Sequence, residues 1–164
     1  MNSLSRCFEM KVTKVLHYIL GMEVSRSPDR LVLTQTKYTL DLLQRANMLT
    51  AKPISTPVSS GSKLSAFQGD FIADVSLYRS LVGALQYLTI TRPDITYAVN
   101  QVCQFMYAPT TAHMVAVKRI LRYLKGTLGF GLTFAARSST HLTAFSDADW
   151  AGNPEYLSDL SFYS

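Results

Sequence analysis

The order of apolar and polar positions along the chain alternates between two periods, near two at the ends and near 3.6 in the middle. From Leu16 to Leu33 two apolar runs flank Ser27-Pro28-Asp29-Arg30, and Pro28 carries the fixed φ suited to the second position of a type I turn, so this stretch predicts a β-hairpin. Tyr38, Leu42 and Ala46 then recur every four residues, which predicts a helix over 36–48, capped by Thr34 or Thr36 and stopping near Asn47. The stretch Lys52–Ser76 keeps neither period and holds Pro53, Pro57, Gly61 and Gly69, as a linker or long surface loop would. Leu77, Leu81, Ala84, Leu85 and Leu88 fall on one face of a further helix. Thr91-x-x-Asp94 has the form of a capping box with Pro93 in the first turn, opening a helix that buries Ile95, Val99, Val102 and Met106 and ends at Ala108-Pro109. A last helix over 112–125 sets Met114, Val117, Ile120, Leu121 and Leu124 on one face, and Lys118, Arg122 and Lys125, with Arg119 beside them, on another. Gly126 supplies a stop, strand alternation follows at Phe130, Leu132 and Phe134, and a second strand is expected at His141–Asp147 after the polar turn Ala136–Thr140.

Composition adds bounds. With 164 residues and 48% apolar content the chain can bury a core, and the net charge of +5 favours an anionic partner, nucleic acid first. Cys7 and Cys103 stand far apart and outside any metal-ligand spacing, which fits two reduced thiols. The apolar stretch near Val15–Val24 is broken by His17 and Glu23 and is shorter than the about 20 residues of a membrane span. No secretory pattern opens the chain, so the expected location is intracellular, cytoplasmic or nuclear, with no membrane partner. His17, His113 and His141 lack metal-type spacing, and nucleophile elbows, glycine-rich phosphate loops and CxxC pairs do not occur.

Two constellations remain that could carry chemistry. Asp147 and Asp149 end the last expected strand two residues apart, hence on one face, where a divalent cation would relieve their repulsion; a solvated strand end reads the same way. The stripe Lys118, Arg119, Arg122 and Lys125 could meet phosphates, or could be an ordinary solvated helix face. From the residues alone the chain is a basic α/β piece.

Three runs go further: Tyr78-Arg79-Ser80-Leu81-Val82-Gly83-Ala84-Leu85-Gln86-Tyr87-Leu88, Thr91-Arg92-Pro93-Asp94-Ile95-Thr96-Tyr97-Ala98-Val99, and Lys118-Arg119-Ile120-Leu121-Arg122-Tyr123-Leu124-Lys125-Gly126-Thr127. In this order and spacing they resemble the Pol polyprotein of copia-type retrotransposons, between the reverse transcriptase palm and the ribonuclease H domain, over about Leu4 to Pro154. The resemblance implies four parts: 1–51, the end of the palm and a first thumb helix; 52–76, a linker; 77–128, a helical thumb and connection region; and 129–164, a truncated start of ribonuclease H. The implied fold is α+β, with a β-hairpin from the palm edge, a helical middle and a C-terminal β-hairpin holding the first ribonuclease H strand.

The same resemblance assigns roles. The Leu20-Gly21 strand resembles the primer-grip hairpin, Lys11 is matched to the lysine that assists pyrophosphate departure, and Lys118, Arg119, Arg122 and Lys125 would lie along a template-primer duplex. Phe145-Ser146-Asp147-Ala148-Asp149-Trp150-Ala151-Gly152 looks like the first ribonuclease H strand, with Asp147 its first metal-binding carboxylate. Two-metal polymerisation needs an aromatic-x-Asp-Asp turn, and no adjacent Asp-Asp occurs in these residues. Of the ribonuclease H carboxylates Asp147 alone is recognisable, and after Pro154 the sequence leaves the family pattern. The expectation is a transposon-derived fragment, catalytically inactive on its own, needing no cofactor although the intact family uses Mg2+, with a residual RNA/DNA-binding surface. A domesticated nucleic-acid-binding module and an interaction or effector protein are the alternatives.

Overall fold

The computed structural model describes residues 17–59 and 64–136. Among these described residues, four antiparallel strands and four α-helices make an α+β fold. The strands β1 (Tyr18–Ile19), β2 (Met22–Arg26) and β3 (Arg30–Thr34) follow one another as a meander. Ser27 and Arg30 exchange backbone hydrogen bonds around Pro28-Asp29, and neither central residue takes a positive φ, as a type I turn requires. The other hairpin is tighter than the sequence suggests. Leu20 and Gly21, expected in a strand, form a two-residue turn with φ of 47° and 74°, the left-handed pair that matches strand twist. Leucine is strained there, and the Tyr87 hydroxyl holds the turn by donating to Leu20 O.

Helix α1 (Thr36–Arg45) has neither predicted threonine as its cap. Glu23 on β2 takes that part: its Oε1 accepts from the Lys37 backbone N–H at 2.9 Å, setting a carboxylate against the positive end of the helix. At the other end Asn47 adopts φ of 54°, and Met48 N–H returns to Leu43 O, closing a Schellman motif where the sequence predicts the stop. Helix α2 (Val75–Leu88) is capped by Asp74, whose Oδ1 accepts from Leu77 N–H at 2.8 Å.

The predicted capping box at Thr91 and Asp94 does not form. Thr91 is fully buried and donates its hydroxyl to Gln35 Oε1, while Pro93–Ile95 makes a 3-10 turn that leads into α3 (Thr96–Cys103). The box stands instead at α4 (Thr111–Gly126), where the Thr110 N–H donates to Nδ1 of His113, a histidine in the place usually held by Glu or Gln. Buried His113 also stacks on Phe105, ring centroids 3.9 Å apart.

The apolar faces read from the sequence converge on one core. Leu42, Leu43, Leu81, Leu85, Leu88, Ile95, Val99, Val102, Val117, Ile120, Leu121 and Leu124 pack together between the four helices. Complete burial of such side chains is worth about 1.5–3 kcal/mol each. Leu77, expected on the inner face, is 40% exposed because it lies in the first turn of α2 at the core's edge. Strand β4 (Leu132–Ala135) pairs antiparallel with β3, with Leu33 opposite Leu132, and so completes the sheet in the order β1-β2-β3-β4. The first strand of the predicted C-terminal hairpin is thus found as β4; its second strand, His141–Asp147, lies outside the described residues.

Candidate nucleic-acid interface

Helix α4 is the platform for the basic stripe, and the packing of its apolar face fixes where that stripe points. Its amino end is tied down by Thr111 N–H donating to Asp70 O at 2.8 Å and by Thr110 Oγ1 donating to Gln68 O at 2.6 Å. The segment before Gln68 begins at the other end of the same helix. There Lys125 Nζ donates to Ala51 O, Arg122 Nε to Lys52 O and Arg119 Nη2 to Thr56 Oγ1, at 2.7, 2.7 and 2.8 Å. The described parts of the long loop are therefore strapped to both ends of α4, with Ala51 and Val58 turned onto the core. Three of the four basic residues hold the loop rather than standing in water, and among the described residues Lys118 alone of the four is exposed and makes no hydrogen bond or ion pair. No carboxylate among the described residues neutralises any of the four; the two ion pairs found there are Arg30–Asp29 and Arg92–Asp94.

The second polar centre was not anticipated. Arg92, 3% exposed, forms a two-pronged pair with Asp94 at 2.7 and 2.9 Å, and donates to Thr127 O and Thr127 Oγ1 at 3.0 and 2.7 Å. Its guanidinium also sits over the rings of Tyr123 and Phe130, and Tyr123 donates its hydroxyl to Asp94 at 2.9 Å. Burial, the largest single influence on Asp94, raises its pKa, but the hydrogen bonds from Arg92 and Tyr123 and the charge of Arg92 together hold it below the usual carboxylate range. The Tyr123 hydroxyl is pushed up, first by burial and then by its bond to Asp94. An arginine and an aspartate two apart around a proline, amid apolar residues, was the available signal.

The other expected site residues are dispersed. Leu20 and Gly21 form the tip of the first hairpin, held to α2 through Tyr87, which meets Tyr38 edge to face. Lys11, Asp147 and Asp149 lie outside the described residues. Among the described residues no three His, Cys, Asp or Glu side chains gather where they could hold a metal ion, and no helix is long and apolar enough to cross a membrane.

Comparison with known proteins supplies the context for these motifs. The Retrovirus-related Pol polyprotein from transposon RE1 of Arabidopsis thaliana is 50% identical over 155 residues, 94% of this chain and 11% of that polyprotein. The corresponding polyprotein from transposon TNT 1-94 of Nicotiana tabacum is 42% identical over 160 residues, 92% of this chain and 12% of its own length. The chain is homologous to one segment of copia-type transposon Pol polyproteins. An uncharacterized mitochondrial protein of Arabidopsis thaliana shares the segment at 48% identity over 149 residues, 91% of this chain and 62% of that protein. The chain thus spans about a ninth of the length of the polyproteins it matches. No protein-family model and no solved structure matches it. Set on the fold, the three runs that carry the Pol resemblance are mostly structural. The first supplies the inner face of α2, and the second and third meet each other through Arg92, Asp94, Tyr123 and Thr127.

Proposed function

We propose that the chain is a transposon-derived Pol segment that works as a non-catalytic scaffold and contacts the phosphates of an RNA/DNA template-primer duplex through the cationic side of α4. On this reading 1–51 is the end of the palm with a first thumb helix, 52–76 a connecting loop, 77–128 the thumb and connection region, and 129–164 the entry to ribonuclease H. Lys11 and the Leu20-Gly21 tip belong to the primer side, and Asp147 to a magnesium site that the intact polyprotein completes with further carboxylates. The chain itself would then work inside the cell, in the cytoplasm or nucleus, without a cofactor.

The observation that supports the reading is the row of four cations on α4 with no carboxylate among the described residues to neutralise them. Phosphate contacts of this kind make binding strongly salt-dependent. The purified chain is expected to bind a labelled RNA/DNA hybrid with an affinity that falls steeply as salt rises, and reversing charge at Lys118 and Arg122 together should flatten that slope. Binding no better than that of a neutral control protein would remove the duplex contact. Magnesium-dependent cleavage of the hybrid by the chain alone, abolished by Asp147→Asn, would remove the non-catalytic part.

A further inference from the structure

Helices α3 and α4, with Pro57, Val58, Leu64 and Gln68 of the loop, line a groove of about 600 Å³. Its accessible apolar lining is Val115, 66% exposed, and half-buried Ala116 of α4 with Leu64 of the loop, and Lys118, Arg119 and Arg122 stand along its cationic side. Arg119 and Arg122 each spend a single nitrogen on the loop, so their remaining guanidinium donors, with the Lys118 ammonium, have no acceptor among the described residues. The loop itself shows what this edge of α4 accepts: a non-helical chain whose oxygens meet the basic side chains while its apolar side chains, Ala51 and Val58, turn to the core.

We propose that this groove docks an acidic, amphipathic peptide segment of a partner protein, its apolar side chains on the floor of Val115, Ala116 and Leu64 and its carboxylates on Lys118 and Arg122. The charge complementarity is specific in sign, because no acidic side chain among the described residues lines the groove. Carboxylates also form stronger bonds to guanidinium than the neutral carbonyl and hydroxyl oxygens that Arg119 and Arg122 now hold. A phosphate backbone satisfies the cations equally well but leaves the apolar floor uncovered, and covering that floor is what favours a peptide. The inference does not depend on the duplex contact proposed above, since the floor takes no part in that contact.

Fluorescence anisotropy of the full chain with a labelled Leu/Glu amphipathic peptide tests this, against a Leu/Lys peptide, polyglutamate and oligo(dT) as comparison probes. The Leu/Glu peptide is expected to bind, and the Leu/Lys peptide to show no binding. Ala116→Trp, which fills the groove without touching charge, and Lys118→Glu, a change at an exposed side chain, are each expected to weaken binding about tenfold or more. Thermal melts of both variants verify the fold, and Lys118→Glu keeps the test decisive should Ala116→Trp melt early. Failure of the Leu/Glu peptide to bind overturns the proposal. So does binding of polyglutamate or oligo(dT) that is as tight and is indifferent to Ala116→Trp. A chain that binds the peptide but not RNA/DNA hybrid keeps this inference and loses the duplex contact, and the reverse result does the opposite.

Discussion

Two arginine centres tie distant parts of the chain to α4, and they do so by opposite means. Arg92 is buried, meets a carboxylate, and has its donors shared among Asp94 and Thr127. Arg122 and its neighbours on the stripe are half-buried, meet neutral oxygens of a loop, and keep donors in reserve. A buried charge without its partner carries the full desolvation penalty, whereas a partly wet one falls back on water. The first centre is thus committed to the fold. The second holds the loop with bonds that an anion could replace.

The widest separation should come from truncating each arginine. Arg92→Ala takes the partner from Asp94 and the donors from Thr127 and leaves a void where the guanidinium stood, and should cost about 2 kcal/mol by denaturant titration, less than for a fully buried pair because the Asp94 side chain is 34% exposed. A loss under about 1 kcal/mol would mean that Asp94 and Thr127 are served by water, and the contrast would fail. Acid titration sharpens the same point. Because Asp94 is held below the ordinary carboxylate range, its contribution is complete above the unfolded value of about 3.9 and is lost as pH falls through the lower folded value. Asp94→Asn should therefore lower stability near neutral pH and remove that part of the acid-limb slope, seen as a flatter fall in Tm toward low pH.

Tyr123→Phe deletes one hydrogen bond to Asp94 and keeps the ring under Arg92, so about 1 kcal/mol is expected. On the stripe, Arg122→Ala should cost less, about 0.5 kcal/mol, yet speed amide exchange over 51–56, a local loosening that Arg92→Ala would not reproduce without global destabilisation. Unchanged exchange there would show that the loop is held by Ala51 and Val58 rather than by the basic side chains. At the small end, Lys118→Glu places an acid four residues before Arg122 and should stabilise the chain by about 0.3–0.5 kcal/mol at low salt, with the gain shrinking as salt is added. Destabilisation of that size would contradict the absence of a partner for Lys118 among the described residues.

Much of the fold was legible because periodicity reports burial directly. The residues read as inner faces of α2, α3 and α4 are nearly all in the core, with Leu77 displaced to its edge. The turn at Pro28-Asp29 and the stop at Asn47 were legible because proline and asparagine carry their backbone preferences with them. The caps were not. Thr91-x-x-Asp94 fits the pattern of a box, but Gln35 and Arg92 offer Thr91 and Asp94 better partners once the helices pack. Glu23 reaches α1 only because the β2–β3 hairpin folds back beneath the helix end. The candidate site was half legible in the same sense: the stripe on α4 was read correctly as a row, but not what lies over it.

By itself, then, the sequence determined the α+β division, the helices and their apolar faces, the basic row on α4 and, through its three long motifs, the relation to transposon Pol polyproteins. Tertiary structure alone decided that the Arg92 motif locks the 3-10 turn to the end of α4, that the loop lies across Arg119, Arg122 and Lys125, and that Lys118 stands open. The physical reason is range. Periodicity and turn chemistry act between neighbours in the chain, whereas these side chains take hydrogen-bond partners 35 to 74 residues away, which only packing can bring within 3 Å.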